Sequence, residues 1–474
     1  MIEANTTFKN PYYEESLYAP VKDEIYVDQL TVLEGKVPTD LYGAYVRNGP
    51  NPKHEPKGRY HWFDGDGMLH AVYFRDGKVS YRNRYVSTKA FQHESIEGKA
   101  LWAGLMENKR DNPFFEKEKN TSNTDVVFHN NHLLSLWYRA GQPYKVDALT
   151  LKTIGVEDFG GKLNCNVSAH SKVDEHTGEF LFFDYGAVYP YMMYGVASAS
   201  GELTHCVPIE LPGPRLPHDI AITTNFSILM DLPLFNDPEV SKLGRYSVKF
   251  FRDLPSRFGI IPRYGGADEI RWFEAEPCYI YHTINAWEEG DEIVLIGCRV
   301  KDPCPPSTKE GGPIERMLAF LRLDAHLYYW RFNLKTGTVK EGALCDMNTE
   351  FPTINLQYLG QKSRFSYNVH MNSQSTLKFD GLIKYDTWTG QSTPYMFGNG
   401  RYGTEASFAP KPDAISEDDG YLVTYVYDEV EDRSELIILD AANFDLGPIA
   451  RLLIPQKIPM GFHATWVNGE KLFG

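Results

Sequence analysis

The sequence predicts an all-β fold, and two features of its pattern carry that prediction. Short apolar segments recur along the chain, and turn residues separate them at Asp76-Gly77, Asn130-Asn131, Thr177-Gly178, Thr336-Gly337 and Asp380-Gly381. Glycine and asparagine accept the positive φ of the tight turns that join antiparallel strands. No segment keeps a helical period over a long stretch. The 474 residues show no strict repeat, so a propeller with degenerate blades fits better than a regular repeat array.

The N-terminal part contains an arm followed by the first strands. Residues 1–40 are polar and proline-interrupted, which is typical of an N-terminal arm. Residues 43–52 predict a strand that ends in a turn-rich segment. Two Asp-Gly dipeptides within residues 62–68 predict a tight hairpin. We expect residues 1–474 to form a single propeller domain, with residues 1–40 as its N-terminal arm.

Three long insertions interrupt the strands. Residues 99–116 and 313–329 mix apolar and charged residues, which predicts short helices, whereas residues 233–264 are proline-interrupted and contain several phenylalanines. Loops of this size inside a compact domain usually form lids or walls of binding sites. We therefore expect these insertions to lie near a functional site.

Composition and charge narrow the functional classes. The chain is 42% hydrophobic and 23% charged, as in soluble globular proteins, and its net charge of −15 argues against nucleic acid as a partner. No apolar run is long enough to span a bilayer, and the N-terminus lacks the features of a signal peptide. The six cysteines form no CxxC pair. A cytoplasmic protein with reduced thiols is the simplest expectation.

Four histidines share a setting that favours a common site. His170, His218, His282 and His463 each lie in or beside an apolar segment, close to a turn. Neutral imidazoles bind first-row metals such as zinc, iron, copper and nickel, and the strands of a propeller can direct several of them at one axis. A buried imidazole is most often structural, and the spacing matches no local motif. The residues alone therefore leave a shared metal site and separate structural roles open.

Glu350 and Glu405 are candidates for supporting such a site. Each lies in a weakly charged segment that contains aromatic residues. A ligating imidazole usually donates its second N–H to a carboxylate or carbonyl, which fixes the orientation of the ring. Most glutamates are solvated surface groups, so that role also stays open for both residues.

From about residue 25 to its end, the chain resembles the carotenoid cleavage oxygenases. The resemblance rests on several motifs that occur in the order of that family. They are residues 43–52 (GAYVRNGPNP), 62–68 (WFDGDGM) and 123–127 (NTDVV), His170, residues 217–219 (PHD), His282 with residues 285–288 (NAWE), residues 350–352 (EFP) and residues 461–463 (GFH).

The resemblance implies a seven-bladed β-propeller with a dome of loops and helices over its active-site face. It also implies a non-heme Fe(II) on the propeller axis, and no organic cofactor. The residues that match the four iron ligands of the family are His170, His218, His282 and His463.

Further roles follow from the same resemblance. Glu350 matches the glutamate that orients the third ligand, here His282, and Glu405 matches the glutamate that orients the fourth, His463. Thr124 matches a residue whose methyl group lies near the open coordination position.

Tyr138 is a departure from the pattern of the family. The remaining orienting glutamate usually follows a motif that corresponds here to residues 133–137 (LLSLW), and Tyr138 replaces it. A phenol can still accept the N–H of His218, but it brings no charge. We therefore expect a less firmly oriented His218, weaker iron retention, and a gain in iron affinity for Tyr138→Glu.

The implied activity is the cleavage of a conjugated C=C bond by O2 to give aldehyde or ketone products. We expect Phe63, Trp137, Tyr281 and Phe351 to line the substrate pocket. Stilbene-cleaving relatives commonly have a lysine where this chain has Trp137, which offers an apolar wall and no cation. This difference favours a carotenoid or apocarotenoid as substrate.

Several alternatives remain open. The substrate could be a hydroxystilbene or a phenylpropene, or the propeller could bind a carotenoid without cleaving it. A calcium-dependent hydrolase is a further class, although its sites usually have oxygen ligands. Apolar residues at 113–115 and 250–251, near lysine and arginine, suggest peripheral contact with a membrane. We expect no nucleic-acid partner and no obligate protein partner.

Overall fold

Most of the chain in the computed structural model consists of short antiparallel strands. The structure describes residues 13, 15–105, 107, 112–113, 118–241, 247–304, 323–372 and 377–474. Every helix in these ranges is too short or too polar to cross a bilayer. The strands in chain order are β1 (Tyr26–Val27), β2 (Thr31–Gly35), β3 (Gly43–Pro50), β4 (Gly67–Arg75), β5 (Lys78–Tyr85), β6 (Asp125–His129), β7 (His132–Leu136), β8 (Tyr144–Val146), β9 (Thr153–Val156), β10 (Lys172–Val173), β11 (Phe180–Tyr185), β12 (Tyr191–Ala197), β13 (Leu203–Glu210), β14 (Ala221–Ile222), β15 (Phe226–Asp231), β16 (Leu234–Asn236), β17 (Val248–Phe250), β18 (Ser256–Pro262), β19 (Arg271–Ala275), β20 (Tyr279–Glu289), β21 (Glu292–Val300), β22 (Ala325–Asn333), β23 (Val339–Ala343), β24 (Thr349–Thr353), β25 (Phe365–Met371), β26 (Phe379–Asp386), β27 (Gln391–Met396), β28 (Arg401–Gly403), β29 (Ser407–Pro410), β30 (Gly420–Asp428), β31 (Arg433–Asp440), β32 (Pro448–Leu453) and β33 (Ala464–Asn468).

The strands form seven blades around one axis, which confirms the predicted propeller. Blade 1 contains β33, β3, β4, β5 and β1, and blade 7 contains β28, β29, β30, β31, β32 and β2. Blades 2 to 6 are the four-stranded sheets β6–β9, β10–β13, β14-β15-β18-β19, β20–β23 and β24–β27. The hairpin β16–β17 is inserted within blade 4.

Two strand pairings that are distant in sequence close the ring. Strand β33 pairs with β3, so Trp466 lies opposite Tyr45 in blade 1. Strand β2 pairs with β32, so Thr31 lies opposite Leu453 in blade 7. Residues 26–35, within the predicted N-terminal arm, thus supply outer strands to two blades.

The innermost strands all begin at one face of the propeller. Strand β6 contacts β33 and β10, and β20 contacts β14 and β24, which places these strands side by side around the axis. Each blade is antiparallel, so long connections such as residues 51–66 and 86–124 leave from the face where the innermost strands begin. We call this the dome face and the opposite one the lower face.

The turns show which local predictions were right. Asp76 and Gly77 both have positive φ and join β4 to β5, and Asn130 and Asn131 do the same between β6 and β7. The tight hairpin predicted within residues 62–68 was wrong, because Trp62–Asp64 is a 3-10 helix and β4 begins only at Gly67. A Cβ at Gly67 would lie 2.3 Å from the carbonyl oxygen of Ser122, so this glycine permits a close approach of two chain segments.

The insertions differ in part from the prediction. The described helices are α1 (Lys89–Glu97), α2 (Pro238–Ser241) and α3 (Gly469–Phe473). Residues 99–105 are not helical, and much of the helix predicted at 99–116 lies outside the described residues. The helix predicted at 313–329 was wrong where the structure describes it, because β22 begins at Ala325 and extended pairing to β21 prevails.

Of residues 250–251, where the sequence suggests membrane contact, Phe250 is buried. Its side chain is only 4% exposed, because it packs in a cluster of buried apolar residues that includes Leu234 and Phe258. Phe251 stacks on Phe235, with 4.2 Å between ring centroids. Of the other predicted contact, at residues 113–115, the two phenylalanines lie outside the described residues.

Asn48 ties blade 1 to blade 2 beside the axis. Its backbone N–H donates to the carbonyl oxygen of His463 at 2.8 Å. Its side-chain amide donates to the carbonyl oxygens of Ser122 and Asp125 and to the hydroxyl of Ser135, each at 3.0 Å. Asn48 is fully buried, so no water molecule can replace its side chain as the donor to these acceptors.

We expect Asn48→Ala to lower the free energy of unfolding by about 2–4 kcal/mol, because it leaves buried acceptors without a donor. Urea unfolding monitored by circular dichroism measures the change. Asn399→Ala, at an exposed turn position, is the matched control. An equal loss of stability in both variants would contradict the proposed linkage.

Candidate metal centre

Four histidine rings meet on the propeller axis. The ring centroids of His170 lie 4.5 Å from those of His463, 4.6 Å from His218 and 4.9 Å from His282. His282 lies 4.7 Å from His463 and 5.3 Å from His218. The structure therefore brings together all four histidines that the sequence singled out.

The topology explains this convergence. His170 and His218 come just before the innermost strands β10 and β14, His282 lies near the start of β20, and His463 directly precedes β33. These strands all begin at the dome face, so their first residues meet at the upper end of the axis. Four distant parts of the sequence thus supply one cluster.

The backbone of His170 is held in an uncommon conformation. Its φ is +65°, in the left-handed region that non-glycine residues rarely adopt. Its N–H donates to the carboxylate of Asp125, on the innermost strand of blade 2, at 2.9 Å. Strained residues of this kind persist only where surrounding contacts over-determine them. The hydrogen bond to Asp125 is such a contact, and it fixes the backbone position from which the side chain of His170 extends.

Two buried glutamates bond the Nδ1 atoms of two histidines. Nδ1 of His282 is hydrogen-bonded to Glu350, and Nδ1 of His463 lies 3.2 Å from a carboxylate oxygen of Glu405. Glu405 also accepts the backbone N–H of Ala464 at 2.6 Å. With Nδ1 engaged in this way, Nε2 is the atom that each ring turns toward the cluster.

The Nε2 atoms provide the donor set for a metal ion. Within the described part of the chain, Nε2 of His170 and of His282 is buried and has no hydrogen-bond partner. Ligand atoms of His170, His282 and His463 all lie within 4.8 Å of one another. Buried polar atoms are rarely left unpaired, and imidazole nitrogens are ligands that transition metals prefer. The cluster fits such an ion.

Burial keeps most of these imidazoles neutral. Burial and the neighbouring histidines lower the pKa of His170, His218 and His282 well below the usual range. Burial also acts to lower the pKa of His463, but the carboxylate of Glu405 outweighs it and the pKa is raised. Burial raises the pKa of Glu350 to about 8. A cation among these groups would stabilise both the neutral imidazoles and the buried carboxylates.

A second pair of carboxylates was missed by sequence reasoning. Asp125, which accepts the N–H of His170, is one of the two. The other is Asp219, which is 1% exposed at the axis and accepts the backbone N–H of Thr283, next to His282, at 2.7 Å. Its other oxygen lies 2.6 Å from Nζ of Lys172. Both aspartates stand inside the quoted motifs NTDVV and PHD, so the signal was available, but only the fold shows what they contact.

Three further predicted residues lie against the histidines. The ring of Phe351 is 4.9 Å from His282 and 5.1 Å from His463, and the ring of Tyr281 is 5.1 Å from His218. The carbonyl oxygen of Thr124 accepts the N–H of His463 at 3.2 Å. These contacts place apolar surface directly beside the cluster.

Phe63, Trp137 and Tyr138 form an aromatic group on the dome side. Tyr138 lies 4.9 Å from Phe63 and 5.9 Å from Trp137 between ring centroids. Phe63 also contacts Phe462, beside His463, at 5.2 Å. All three rings line a cavity beneath the long connections. Tyr138 thus extends an aromatic wall, and its predicted contact with His218 stays a prediction.

Comparisons with known proteins agree on one family. The family model described as retinal pigment epithelial membrane protein matches residues 18–468. The carotenoid 9,10(9',10')-cleavage dioxygenase 1 of Pisum sativum is 38% identical over 508 residues, which cover 97% of this chain and 92% of the pea protein.

Two solved structures are also similar to this chain. A lignostilbene dioxygenase of Pseudomonas brassicacearum has a TM-score of 0.88 at 30% identity and covers 97% of this chain and 99% of its own. The cobalt-substituted apocarotenoid oxygenase of Synechocystis has a TM-score of 0.82 at 27% identity, with 95% and 96% covered. Both similarities extend over the whole propeller.

We expect Asp125→Ala to lower the free energy of unfolding by about 1–3 kcal/mol, because the buried N–H of His170 loses its acceptor while φ stays positive. Chemical unfolding measures this loss. Asp125→Asn keeps an amide oxygen at the same place and should recover part of the stability. If Asn were no better than Ala, the hydrogen bond to His170 would not be the cause.

Proposed function

This chain belongs to the family of the retinal pigment epithelial membrane protein and the carotenoid cleavage dioxygenases, and from that membership we propose that it cleaves a conjugated C=C bond of a carotenoid or apocarotenoid with O2. The two carbons of the cleaved bond become the carbonyl carbons of an aldehyde or ketone pair. The observation that carries the proposal is the cluster of four histidines, in which Nε2 of His170 and of His282 is buried without a partner among the described residues.

The metal in this proposal is Fe(II), held by His170, His218, His282 and His463. An all-imidazole set adds no negative charge, so an ion held by these four histidines would supply a strongly electrophilic centre for chemistry with O2. Calcium, the usual ion of propeller hydrolases, prefers oxygen ligands, and the inward-facing atoms here are nitrogens. The donor set therefore favours an oxygenase over a hydrolase.

Glu350 and Glu405 act as positioning residues in this scheme. Each carboxylate accepts the Nδ1–H of its histidine, which selects the tautomer with a free lone pair on Nε2. Each is also fixed by a backbone N–H, from Phe351 to Glu350 at 2.7 Å and from Ala464 to Glu405 at 2.6 Å. The ligand geometry is thus set before any metal binds.

Thr124 shapes the position that O2 would occupy. Its hydroxyl donates to the side chain of Asn123 at 3.0 Å and accepts the N–H of Tyr138 at 3.1 Å. With the hydroxyl held on that side, the methyl group of Thr124 is free to face the cluster. An apolar group there excludes a competing water molecule.

The pocket assigned to the substrate has aromatic rings along part of its wall. Phe351 and Tyr281 flank the histidines, and Phe63 and Trp137 continue the wall toward the dome face. Flat apolar rings orient an extended polyene and keep water away from the reacting bond. No acid or base is needed, because the reaction moves no proton to or from these side chains.

A hydroxystilbene is the second candidate substrate. The indole Nε1 of Trp137 is buried without a partner among the described residues and could donate to a phenolic oxygen. The similarity to a lignostilbene dioxygenase is consistent with this candidate. Trp137 carries no positive charge, however, so it stabilises a phenolate less than a lysine does. We therefore place the polyene first.

Location and organisation complete the proposal. We propose a single propeller domain that works in the cytoplasm and contacts membranes only peripherally, since a carotenoid must be drawn from a bilayer. The substrate and O2 are its partners.

A competition assay tests the proposed substrate. Iron(II)-loaded protein receives equal amounts of an apocarotenal and a hydroxystilbene in air, and mass spectrometry identifies the aldehydes. We expect a shortened polyene aldehyde. Aromatic aldehydes would establish the second candidate instead, and no product from either substrate, despite bound iron, would favour a carotenoid-binding protein without catalysis.

Tyr138→Glu tests the departure from the pattern of the family. A carboxylate at this position should raise the affinity for iron by about 10-fold or more, because His218 gains a charged acceptor. A chelator-competition titration measures the affinity, and Tyr138→Gln controls for the change of shape without charge. An unchanged affinity in Tyr138→Glu would show that the tyrosine does not limit metal binding.

A further inference from the structure

A cavity of about 300 Å³ runs along the propeller axis below the histidines. The innermost strands β6, β10, β20, β24, β29 and β33 supply much of its wall. His170, His282 and His463 lie at its upper end, and Glu175, Glu470 and residues after β24 lie at its lower end. The cavity therefore connects the candidate metal centre with the lower face, away from the aromatic pocket.

Acidic side chains dominate the charge of this cavity. Its wall contains five carboxylates but only two lysines. Asp125, Asp219 and Glu405 lie near the histidines, whereas Glu175 and Glu470 lie at the lower mouth. This excess of negative charge attracts cations.

Both lysines are engaged by carboxylates. Lys172 lies 2.6 Å from Asp219 inside the cavity, and Lys471 forms an ion pair with Glu175 at the mouth. The carboxylate of Glu470, on α3, is exposed and forms no ion pair with any described residue. Glu470 is thus the free negative charge at the entrance.

The dome-side cavity has a different chemistry. Beside Phe63, Trp137 and Tyr138 its wall contains four carboxylates and an equal number of lysines and arginines, and none of the four histidines is part of its described wall. A wall whose positive and negative charges balance attracts a hydrated divalent ion less than one in which carboxylates are in excess. The axial cavity offers carboxylate oxygens both at its lower mouth and near the histidines.

We propose that the axial cavity is the route by which the divalent metal ion reaches the four histidines, separate from the route of the substrate. The proposal rests on the proposed function, because it requires the histidines to hold a metal. A hydrated ion is concentrated at Glu470, passes the pair of Lys471 and Glu175, and exchanges water for imidazole nitrogen at His170, His282 and His463. The buried Nε2 atoms without partners are the end point of this path.

The rate of metal uptake tests the route. Metal-free full-length protein is mixed with Co²⁺ at low ionic strength, and quenching of tryptophan fluorescence is followed by stopped flow. Trp466 lies in the cavity wall, three positions after His463, and reports arrival. Elemental analysis of the desalted protein gives the amount of cobalt bound.

Two adjacent substitutions should act in opposite directions. Glu470→Lys places a positive charge at the mouth and should slow uptake by about threefold or more, whereas Lys471→Glu should speed it by a similar factor. Both effects should shrink at high salt, because the charges are exposed. Glu431→Lys, in the exposed turn between β30 and β31 on the dome face, makes the same change in net charge and is the control.

The outcomes separate the route from the metal centre itself. Opposite shifts in the two mouth variants, an unchanged control rate and equal final cobalt in all proteins would support the route. Equal slowing by Glu470→Lys and Glu431→Lys, or no change in either mouth variant, would overturn it. If the unmodified protein bound no cobalt, the proposed function would fail first.

Discussion

Seven innermost strands begin at one face of a closed ring, and the ring closes because β33 pairs with β3 and β2 pairs with β32. The same closure that completes blade 1 also places His463, directly before β33, beside histidines that come from blades 3, 4 and 5. Loss of that pairing would remove a ligand as well as a strand. The stability of the propeller and the assembly of the histidine cluster therefore both depend on the pairing of β33 with β3.

The cluster is costly to bury, and the surrounding backbone offsets that cost. Asp125, Asp219, Glu350 and Glu405 are each nine-tenths or more buried, yet each accepts a backbone N–H beside the cluster. Carboxylates that accept such bonds are stabilised in a dry site. The same bonds fix the chain next to each ligand, including the left-handed backbone of His170. The same backbone N–H groups thus stabilise the buried carboxylates and fix the positions of the histidines.

Sequence reasoning reached the fold and the histidines but not their connections. Turn chemistry is local, so the turn at Asp76-Gly77 was predicted correctly. Gly67, in contrast, permits a close contact with Ser122 that no local pattern reveals. The four histidines and two glutamates could be named from their setting in the sequence, and the family resemblance then assigned a role to each. The bond from Asp125 to His170 and the pair of Lys172 and Asp219 depend on which blades are neighbours. Only the closed ring supplies that information.

Tyr138 belongs to a group of aromatic rings on the dome side of the cluster. On the dome side, Tyr138 packs on Phe63 and Trp137, where a glutamate would place a charge in the wall of the polyene pocket. On the axial side, Asp219 and Lys172 keep charged groups in contact with the cavity that leads to the lower face. Replacing a carboxylate by a phenol at residue 138 thus makes the substrate side more apolar and leaves the axial side unchanged. The exchange would remove a charged acceptor for the N–H of His218 and enlarge the aromatic wall. A larger aromatic wall suits a long conjugated substrate more than a small phenolic one.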